Sequence, residues 1–357
     1  MIYVHVPFCR SFCTYCDFYS EIACKGRDAN AYESYLSELV SEIDGRREEI
    51  AAASATDTLY FGGGTPSVLP LSVLECLLDA LGNKAYEEFT IEVNPEDIVE
   101  KGPEYLMGLR RLGVNRVSMG VQSLDDGILR WMNRRHNAAG ARDAFRSLRM
   151  AGFDNISVDV IFGLSQLGEE QLSSTLSEIL SWRPEHISAY QLSIEEGSAL
   201  AAMVDDGRYA EATEEQCAEQ YELICRRLRE AGYVHYEISN WALPAHEAKH
   251  NSAYWTRQPY VGLGPGAHSF DGRRRSWNSQ ELSGWKSEEE VLSSEEAREE
   301  RIMLGLRTAA GIDAGLCDPA LVDALIAEGA LVRLEDAMIR IPEDQFFISD
   351  GIIEKLI

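Results

Sequence analysis

The feature that most restricts the fold is a regular alternation of short apolar segments with longer segments of helical periodicity. Six short segments have the character of buried strands, and they are IYVHVPF, DTLYFGGG, FTIEVNP, RVSMGVQS, NISVDVIFGL and HISAYQLSIE. The intervals show the apolar spacing of helices, as in AYESYLSELVSEI and EEQLSSTLSEIL. Strands that alternate with helices favour β/α units and a parallel sheet. Because a closed TIM barrel needs eight strands, six predict an open, partial (β/α)6 TIM-like barrel of the α/β class.

The rest of the chain predicts a second, smaller domain. After about residue 205 a long acidic helix precedes a glycine- and aromatic-rich stretch, and from about residue 285 helices predominate. A short strand pair is expected in ALVRLEDAMIRIP. We therefore predict a barrel with its extension over residues 1–280 and a helix-rich C-terminal domain over residues 281–357.

Composition argues against two classes of protein. The 59 acidic residues exceed the 33 basic ones and give a formal charge of −26, which weighs against a nucleic-acid partner because phosphate binding needs basic surface. No apolar run reaches the roughly 18 residues of a membrane span. The beginning, MIYVHVPFC, lacks the basic segment and cleavage site of a signal peptide. We expect a soluble cytoplasmic protein, and its oligomeric state stays open.

Three of the eight cysteines form a compact motif. Cys9, Cys13 and Cys16 have C-x3-C-x2-C spacing, which in a reducing compartment indicates metal binding rather than disulfides. Thiolates suit zinc and iron–sulfur clusters, but structural zinc usually takes four protein ligands and no second pair stands nearby. Three ligands would leave one iron of a four-iron cube open. Cys24 is the one rival for a fourth position.

Polar residues follow the ends of the predicted strands. The cysteines come after the first strand, GGGTP after the second, and Glu92 near the end of the third, while Gln122 and Asp159 belong to the fourth and fifth. The carboxyl ends of barrel strands are where such folds place their chemistry. Acids within apolar strands need partners, so Glu92 and Asp159 either form structural hydrogen bonds inside the barrel or bind a ligand.

The cysteine motif, with Tyr15 directly before its third cysteine, resembles the signature of the radical SAM family. The resemblance implies a [4Fe-4S] cluster on Cys9, Cys13 and Cys16, whose open iron is chelated by S-adenosylmethionine (SAM). The reduced cluster then cleaves SAM to a 5′-deoxyadenosyl radical. The resemblance further implies a SAM site formed by Tyr3, Tyr15, Gly63, Gly64, Thr65, Glu92, Gln122, Arg134, Asp159 and His268. The glycines also fit an ordinary tight turn, and Arg134 an ordinary helix position.

The segments YVHVPFC, YFGGGTPS, EVNPE, GVNRVSMGVQS, NISVDVIFGL and YEISNWA resemble the superfamily of oxygen-independent coproporphyrinogen oxidases (HemN). Three features favour its HemW branch of heme chaperones. Phe18 stands where the oxidases carry a further cysteine, and the chain starts almost on its first strand. In addition, HNSAYW, residues 250–255, matches the H-N-x-x-Y-W motif associated with heme. LSQLGEE departs from the family's usual Leu-Pro-Gly stretch after the fifth strand.

The resemblance implies heme as a third cofactor, contacted by His250, and heme-accepting proteins as partners. Any membrane contact would be peripheral and made through the acceptor. A structural histidine is the rival interpretation of His250, and Arg273–Arg275 fit either propionate ligands or a solvated loop. The alternative activity is oxidative decarboxylation of coproporphyrinogen III, and a heme-dependent SAM methyltransferase is a third. The sequence leaves open whether SAM is cleaved in turnover, and it assigns no catalytic residue.

Overall fold

The structure is a computed structural model that describes residues 1–22, 28–53 and 57–357, so Cys24 lies outside the described residues. The strands are β1 (Ile2–Val6), β2 (Phe8–Cys9), β3 (Glu21–Ile22), β4 (Thr58–Gly63), β5 (Glu88–Val93), β6 (Arg116–Gln122), β7 (Ile156–Phe162), β8 (His186–Gln191), β9 (Val234–Glu237), β10 (Asn240–Ala242), β11 (Val261–Leu263), β12 (His268–Phe270), β13 (Arg274–Asn278), β14 (Ser287–Val291), β15 (Ile312–Asp313), β16 (Val332–Arg333) and β17 (Met338–Arg340).

The helices are α1 (Asp28–Gly45), α2 (Arg47–Ala52), α3 (Leu71–Leu81), α4 (Pro95–Arg111), α5 (Asp126–Trp131), α6 (Ala138–Met150), α7 (Glu169–Trp182), α8 (Ala199–Asp205), α9 (Glu214–Glu230), α10 (Lys249–Trp255), α11 (Ser294–Gly305), α12 (Pro319–Ala327) and α13 (Ser349–Ile353). Short 3-10 helices cover Pro66–Val68, Ala314–Leu316 and Glu343–Ile348. No helix among the described residues is both long enough and apolar enough to cross a membrane.

The central sheet confirms the predicted partial barrel. Its strand order is β11-β1-β4-β5-β6-β7-β8-β10-β9, and the six predicted strands are the parallel run β1, β4, β5, β6, β7 and β8. β11 adds a parallel strand beside β1, whereas β10 and β9 extend the other edge antiparallel. Within the described residues β9 and β11 do not pair, so the barrel is open.

The interior of this barrel is polar. Successive side chains of a strand point to opposite faces, and Phe61, Ile91 and Met119 enter the apolar core shared with the surrounding helices. The side chains that alternate with these point into the barrel, where they contact side chains of the neighbouring strands. Tyr60 donates from its hydroxyl to Glu92 Oε1 at 2.7 Å, and further along the sheet Ser118 donates to Asp159 Oδ1 at 3.1 Å. The barrel therefore encloses a lined cavity in place of a packed centre.

The C-terminal segment packs against the open edge of the barrel. The ring of His235, on β9, stacks on Trp241 at 4.0 Å between centroids and meets Phe346 edge-on at 5.0 Å. The antiparallel sheet β12-β13-β14 crosses residue 280, since β14 pairs with β13 along its length. We therefore propose that the boundary between the two predicted domains falls after β14, near residue 292.

Candidate functional site

The cysteine loop follows β1 and is fixed by backbone contacts from distant parts of the chain. Thr14 donates from its amide to the carbonyl of Met132 at 3.2 Å, just after α5. Asn133 donates from its side chain to the carbonyl of Phe12 at 2.7 Å, and Leu200, in α8, donates from its amide to Thr14 at 2.9 Å. The sequence places three cysteines close together, and these contacts hold them at the mouth of the barrel.

Each cysteine lies partly buried beside polar groups of the barrel rim. The thiol of Cys9 lies 3.4 Å from Thr65 Oγ1, and Arg134 donates from Nη1 to Cys13 Sγ at 3.5 Å. Burial raises the pKa of Cys9 and raises that of Cys16 to about 11. These two groups are therefore thiols at neutral pH, and binding of a metal by their thiolates will release protons.

The three cysteines suit a cluster by their number and chemistry. Thiolates bind zinc and iron–sulfur clusters, and three of them are the protein ligands of a four-iron cluster that keeps one iron open. Elsewhere among the described residues, Cys225, His235 and Glu343 have three ligand atoms within 4.8 Å of one another.

The glycine loop after β4 lies directly against the cysteine loop. Gly64 donates from its amide to the carbonyl of Val6 at 2.8 Å, and a Cβ on it would lie 2.8 Å from the carbonyl oxygen of Phe8. Gly63 has φ of +108° and donates from its amide to Glu92 Oε2 at 3.1 Å. Only glycine fits this close approach of two backbones.

A cavity of about 440 Å³ opens at the cysteines and runs into the barrel. Most residues of the predicted cluster and SAM sites line it together, namely Cys9, Cys13, Cys16, Tyr15, Gly63, Gly64, Thr65, Glu92, Gln122, Arg134 and Asp159. Its size lies within the range of small-molecule sites. The individual roles of these residues toward SAM stay predictions.

Two residues of the predicted SAM site do not line this cavity, and their roles toward SAM stay predictions. His268 begins β12, is exposed, and stacks on Trp277 with ring centroids 6.1 Å apart, outside the cavity wall. Tyr3 lines a neighbouring cavity, with its hydroxyl 3.1 Å from His5 Nδ1 and its ring stacked on Tyr60. The sequence pattern could not show that β12 leaves the barrel for a separate sheet.

The two buried acids have raised pKa values. Burial raises the pKa of Glu92 to about 7, although the carboxylate accepts hydrogen bonds from Tyr60 and Gly63. Burial also raises the pKa of Asp159, which accepts from Ser118 and Ser157. Both carboxylates face the cavity, so a cationic ligand there would favour their ionised forms.

Gln122 and Arg134 are fixed by an irregularity of β6. Gln122 has φ of +64°, at a bulge where the pairing with β7 shifts. Such strain in a residue other than glycine is typical of functional sites. Arg134 donates from Nη2 to Asn94 Oδ1 at 2.6 Å and to the carbonyl of Gly120 at 2.7 Å. The guanidinium thus bridges the rims of β5 and β6 beside Cys13.

Several cavity residues were missed from the sequence. They are Arg116, Ser118, Ser188, Tyr190 and Asn251. Four of them occupy inward positions of β6 and β8. Polar residues at alternate positions of these otherwise apolar strands could have indicated them. Asn251 comes from α10, whose position against the barrel no local pattern could give.

Comparison with known proteins agrees with this architecture. The Radical SAM superfamily profile matches residues 3–179. The chain is 35% identical over 324 residues to "Heme chaperone HemW" of Lactococcus lactis, covering 87% of this chain and 82% of that protein. It is 30% identical to the protein of the same name from Mycobacterium tuberculosis, covering 100% and 94%. The structure of coproporphyrinogen III oxidase (HemN) from Escherichia coli superposes with a TM-score of 0.80 at 19% identity, over 99% of this chain and 89% of that one, which shows the shared fold.

Fold, cavity and triad together define a radical SAM protein. Because relatives at 30–35% identity align over most of both chains, the protein belongs to the HemW family of the radical SAM superfamily.

We predict that changing any one of Cys9, Cys13 and Cys16 to alanine abolishes stable cluster assembly, because each sulfur would bind a different iron. Iron and sulfide analysis after anaerobic reconstitution measures this. Cys76→Ala, on the exposed face of α3, is the matched control and keeps full iron. Cys24→Ala is expected to keep it as well. Zinc in place of iron, or undiminished iron in the triple alanine variant, would contradict the assignment.

We expect Gly64→Ala to destabilise the protein by about 1–3 kcal/mol and to lower its iron content, because the added methyl group overlaps the carbonyl of Phe8. Thermal unfolding and iron analysis test both effects. Gly45→Ala is the control, since a Cβ there meets no atom within 4 Å. Equal stability of the two variants would show that the loops are not in close contact.

We predict that the affinity for SAM depends on the ionisation of Glu92. With a pKa of about 7, Glu92 is mostly neutral at pH 6 and mostly ionised at pH 8, so binding of the cationic ligand strengthens roughly tenfold over this range. The titration of SAM itself affects all variants equally. We therefore expect Glu92→Gln to lose the part of the pH dependence of SAM affinity that Glu92 causes. Calorimetric titrations at pH 6 and pH 8 measure this.

Glu237→Gln is the matched control for that experiment. Burial also raises the pKa of Glu237 to about 7, but Glu237 lines only the neighbouring cavity. Its variant is expected to keep the pH dependence of the wild type. If Glu92→Gln keeps the full pH dependence of SAM affinity, Glu92 does not belong to the SAM site.

Proposed function

We propose that the protein is a heme chaperone of the radical SAM type, which binds a [4Fe-4S] cluster, SAM and heme and delivers heme to acceptor proteins. The observation that carries this proposal is the contact between two cavities. One opens at the cysteine triad, and the other contains the H-N-x-x-Y-W motif. The names of the relatives aligned above support the same function.

The second cavity has a volume of about 510 Å³ and lies against the first. The two share wall residues, which are Tyr60, Glu92, Tyr190 and Asn251. Tyr254 and Trp255 of the motif line the second cavity as well. Aromatic rings of this kind offer flat apolar surface for a porphyrin.

His250 lies in the wall of this cavity with both ring nitrogens in hydrogen bonds. Nδ1 is 2.9 Å from Thr58 Oγ1, and Nε2 is 3.1 Å from the hydroxyl of Tyr254. Burial lowers the pKa of His250 to about 3, so the ring is neutral, which is the form that binds metals. His250 would hold heme iron through Nε2 only when that nitrogen is released from its hydrogen bond with the Tyr254 hydroxyl.

The first cavity fits the two cofactors that the family implies. Cys9, Cys13 and Cys16 would hold the cluster, and Glu92, Gln122, Arg134 and Asp159 would surround SAM. When bound, the cluster and SAM supply one-electron chemistry. The chain itself contributes positive charge from Arg134 beside Cys13 and a buried carboxyl, Glu92, that gains or loses its proton near neutral pH.

In the basic run Arg273–Arg275, Arg273 precedes β13, whereas Arg274 and Arg275 lie on that strand, so the run is not a loop as a whole. Arg274 pairs with Glu289 at 3.0 Å, and Arg275 pairs with Glu300 at 2.7 Å. Two of its three guanidinium groups are therefore engaged on the protein surface. We propose that the partners are heme and heme-accepting proteins in the cytoplasm, and that the acidic surface keeps nucleic acids away.

We predict that His250→Ala weakens heme binding at least about tenfold and alters the Soret band, because an axial ligand is lost. Tyr254→Phe should instead bind heme about 3- to 10-fold more tightly, because Nε2 is released from a hydrogen bond worth ~0.5–1.5 kcal/mol. Titrations followed at the Soret band test both changes. His268→Ala, an exposed histidine outside both cavities, is the control. Identical titrations for wild type and His250→Ala would exclude His250 as a ligand.

A chaperone and an oxidase differ in their products. Incubation of the reconstituted protein with SAM, a reductant and coproporphyrinogen III is expected to leave the porphyrinogen unchanged. Formation of protoporphyrinogen would overturn the proposed function.

A further inference from the structure

Arg116 is a buried cation with almost no partners. It begins β6, its side chain lines the first cavity, and the residue is 1% exposed. Within the described residues Nε has no hydrogen-bond partner, and the only bond of the guanidinium runs from Nη1 to Thr90 Oγ1 at 3.5 Å. No described carboxylate lies within ion-pair distance of it. Buried charges in proteins are normally paired, so this arrangement points to a missing anion.

Glu92 and Asp159 interact with Arg116 only at longer range: its charge acts to lower the pKa of both, but neither carboxylate forms an ion pair with it. Glu92 accepts from Tyr60 and Gly63, and Asp159 accepts from two serines, so each carboxylate already has its own donors. Burial also raises the pKa of both acids, which favours their neutral forms. The guanidinium therefore remains available to a ligand.

The position of Arg116 identifies which ligand it can reach. Gln122 ends β6 near the cysteines, whereas Arg116 begins it, and six residue steps of a strand span about 20 Å. Asn251, in the H-N-x-x-Y-W motif, lines the first cavity together with Arg116 and also lines the second. The end of the barrel with Arg116 thus faces the proposed heme site, while the cysteines lie at the other end.

We propose that Arg116 binds a carboxylate of the ligand in the second cavity, a propionate of heme, which passes Asn251 to reach the guanidinium. This inference rests on the proposed heme chaperone function. A guanidinium and a carboxylate form two parallel charge-assisted hydrogen bonds, and Nε with one Nη offers that fork. The propionate would pair directly with the guanidinium, which no described carboxylate does.

Hemin and hemin dimethyl ester are the two probes, because they differ only in the charge of the propionates. In the wild type, Soret titration should show hemin binding about 10- to 100-fold more tightly than the diester. In Arg116→Met this ratio should fall to about one, through loss of hemin affinity alone. Arg116→Lys keeps the charge without the fork and should give an intermediate ratio. Arg274→Met is the matched control, an exposed arginine paired with Glu289, and should keep the ratio of the wild type.

The outcomes separate this inference from the proposed function. If the wild type binds neither porphyrin, the heme chaperone function fails, and the role of Arg116 fails with it. If the wild type prefers hemin and Arg116→Met keeps that preference, only the role of Arg116 is overturned. Weakened SAM binding in Arg116→Met, measured by calorimetry, with an unchanged hemin ratio would also overturn it. Thermal unfolding checks that the ligand-free variant folds, which is expected because the substitution removes an unpaired buried charge. Arg116→Lys decides the matter if Arg116→Met does not fold.

Discussion

The site depends on one constraint, which is that the strands of the barrel are buried on both faces while only one face is apolar. The apolar face packs under the helices and supplies the core. The inner face carries hydroxyl and carboxyl groups that satisfy one another between adjacent strands, as Tyr60 does for Glu92. Buried polar groups are stable only when bonded in this way. The same network that allows the barrel to fold therefore prepares a polar cavity.

The cysteine loop uses the barrel rim as its support. Its backbone bonds to residues after α5 and at α8, while Gly64 fills the space beneath it where any side chain would collide. A loop held at several points can present three sulfurs at a fixed separation without help from disulfides. This explains how an otherwise irregular segment positions a metal centre at the open end of the cavity.

The sequence predicted the part of the molecule that follows from periodicity. Six strands and their helices were foreseen because each repeats every two or every 3.6 residues, and the cysteine triad because its ligands are neighbours in sequence. β9, β10 and β11 are only three or four residues long, too short for a periodic signal. The positions of His268 and Tyr3 outside the first cavity were not foreseen, and Arg116 and Asn251 were missed, because these positions depend on how distant elements pack rather than on local spacing.

The wall shared by the two cavities has a thermodynamic consequence. Glu92 and Tyr60 form part of both surfaces, and the proton on Glu92 exchanges near neutral pH. A ligand in either cavity, or chamber, that favours one protonation state of this carboxyl alters the affinity of the other chamber for its own ligand. Linkage is reciprocal, so the second occupant acts on the first by the same factor. Protonation of a single carboxyl can thus couple binding in the two chambers without any movement of the backbone.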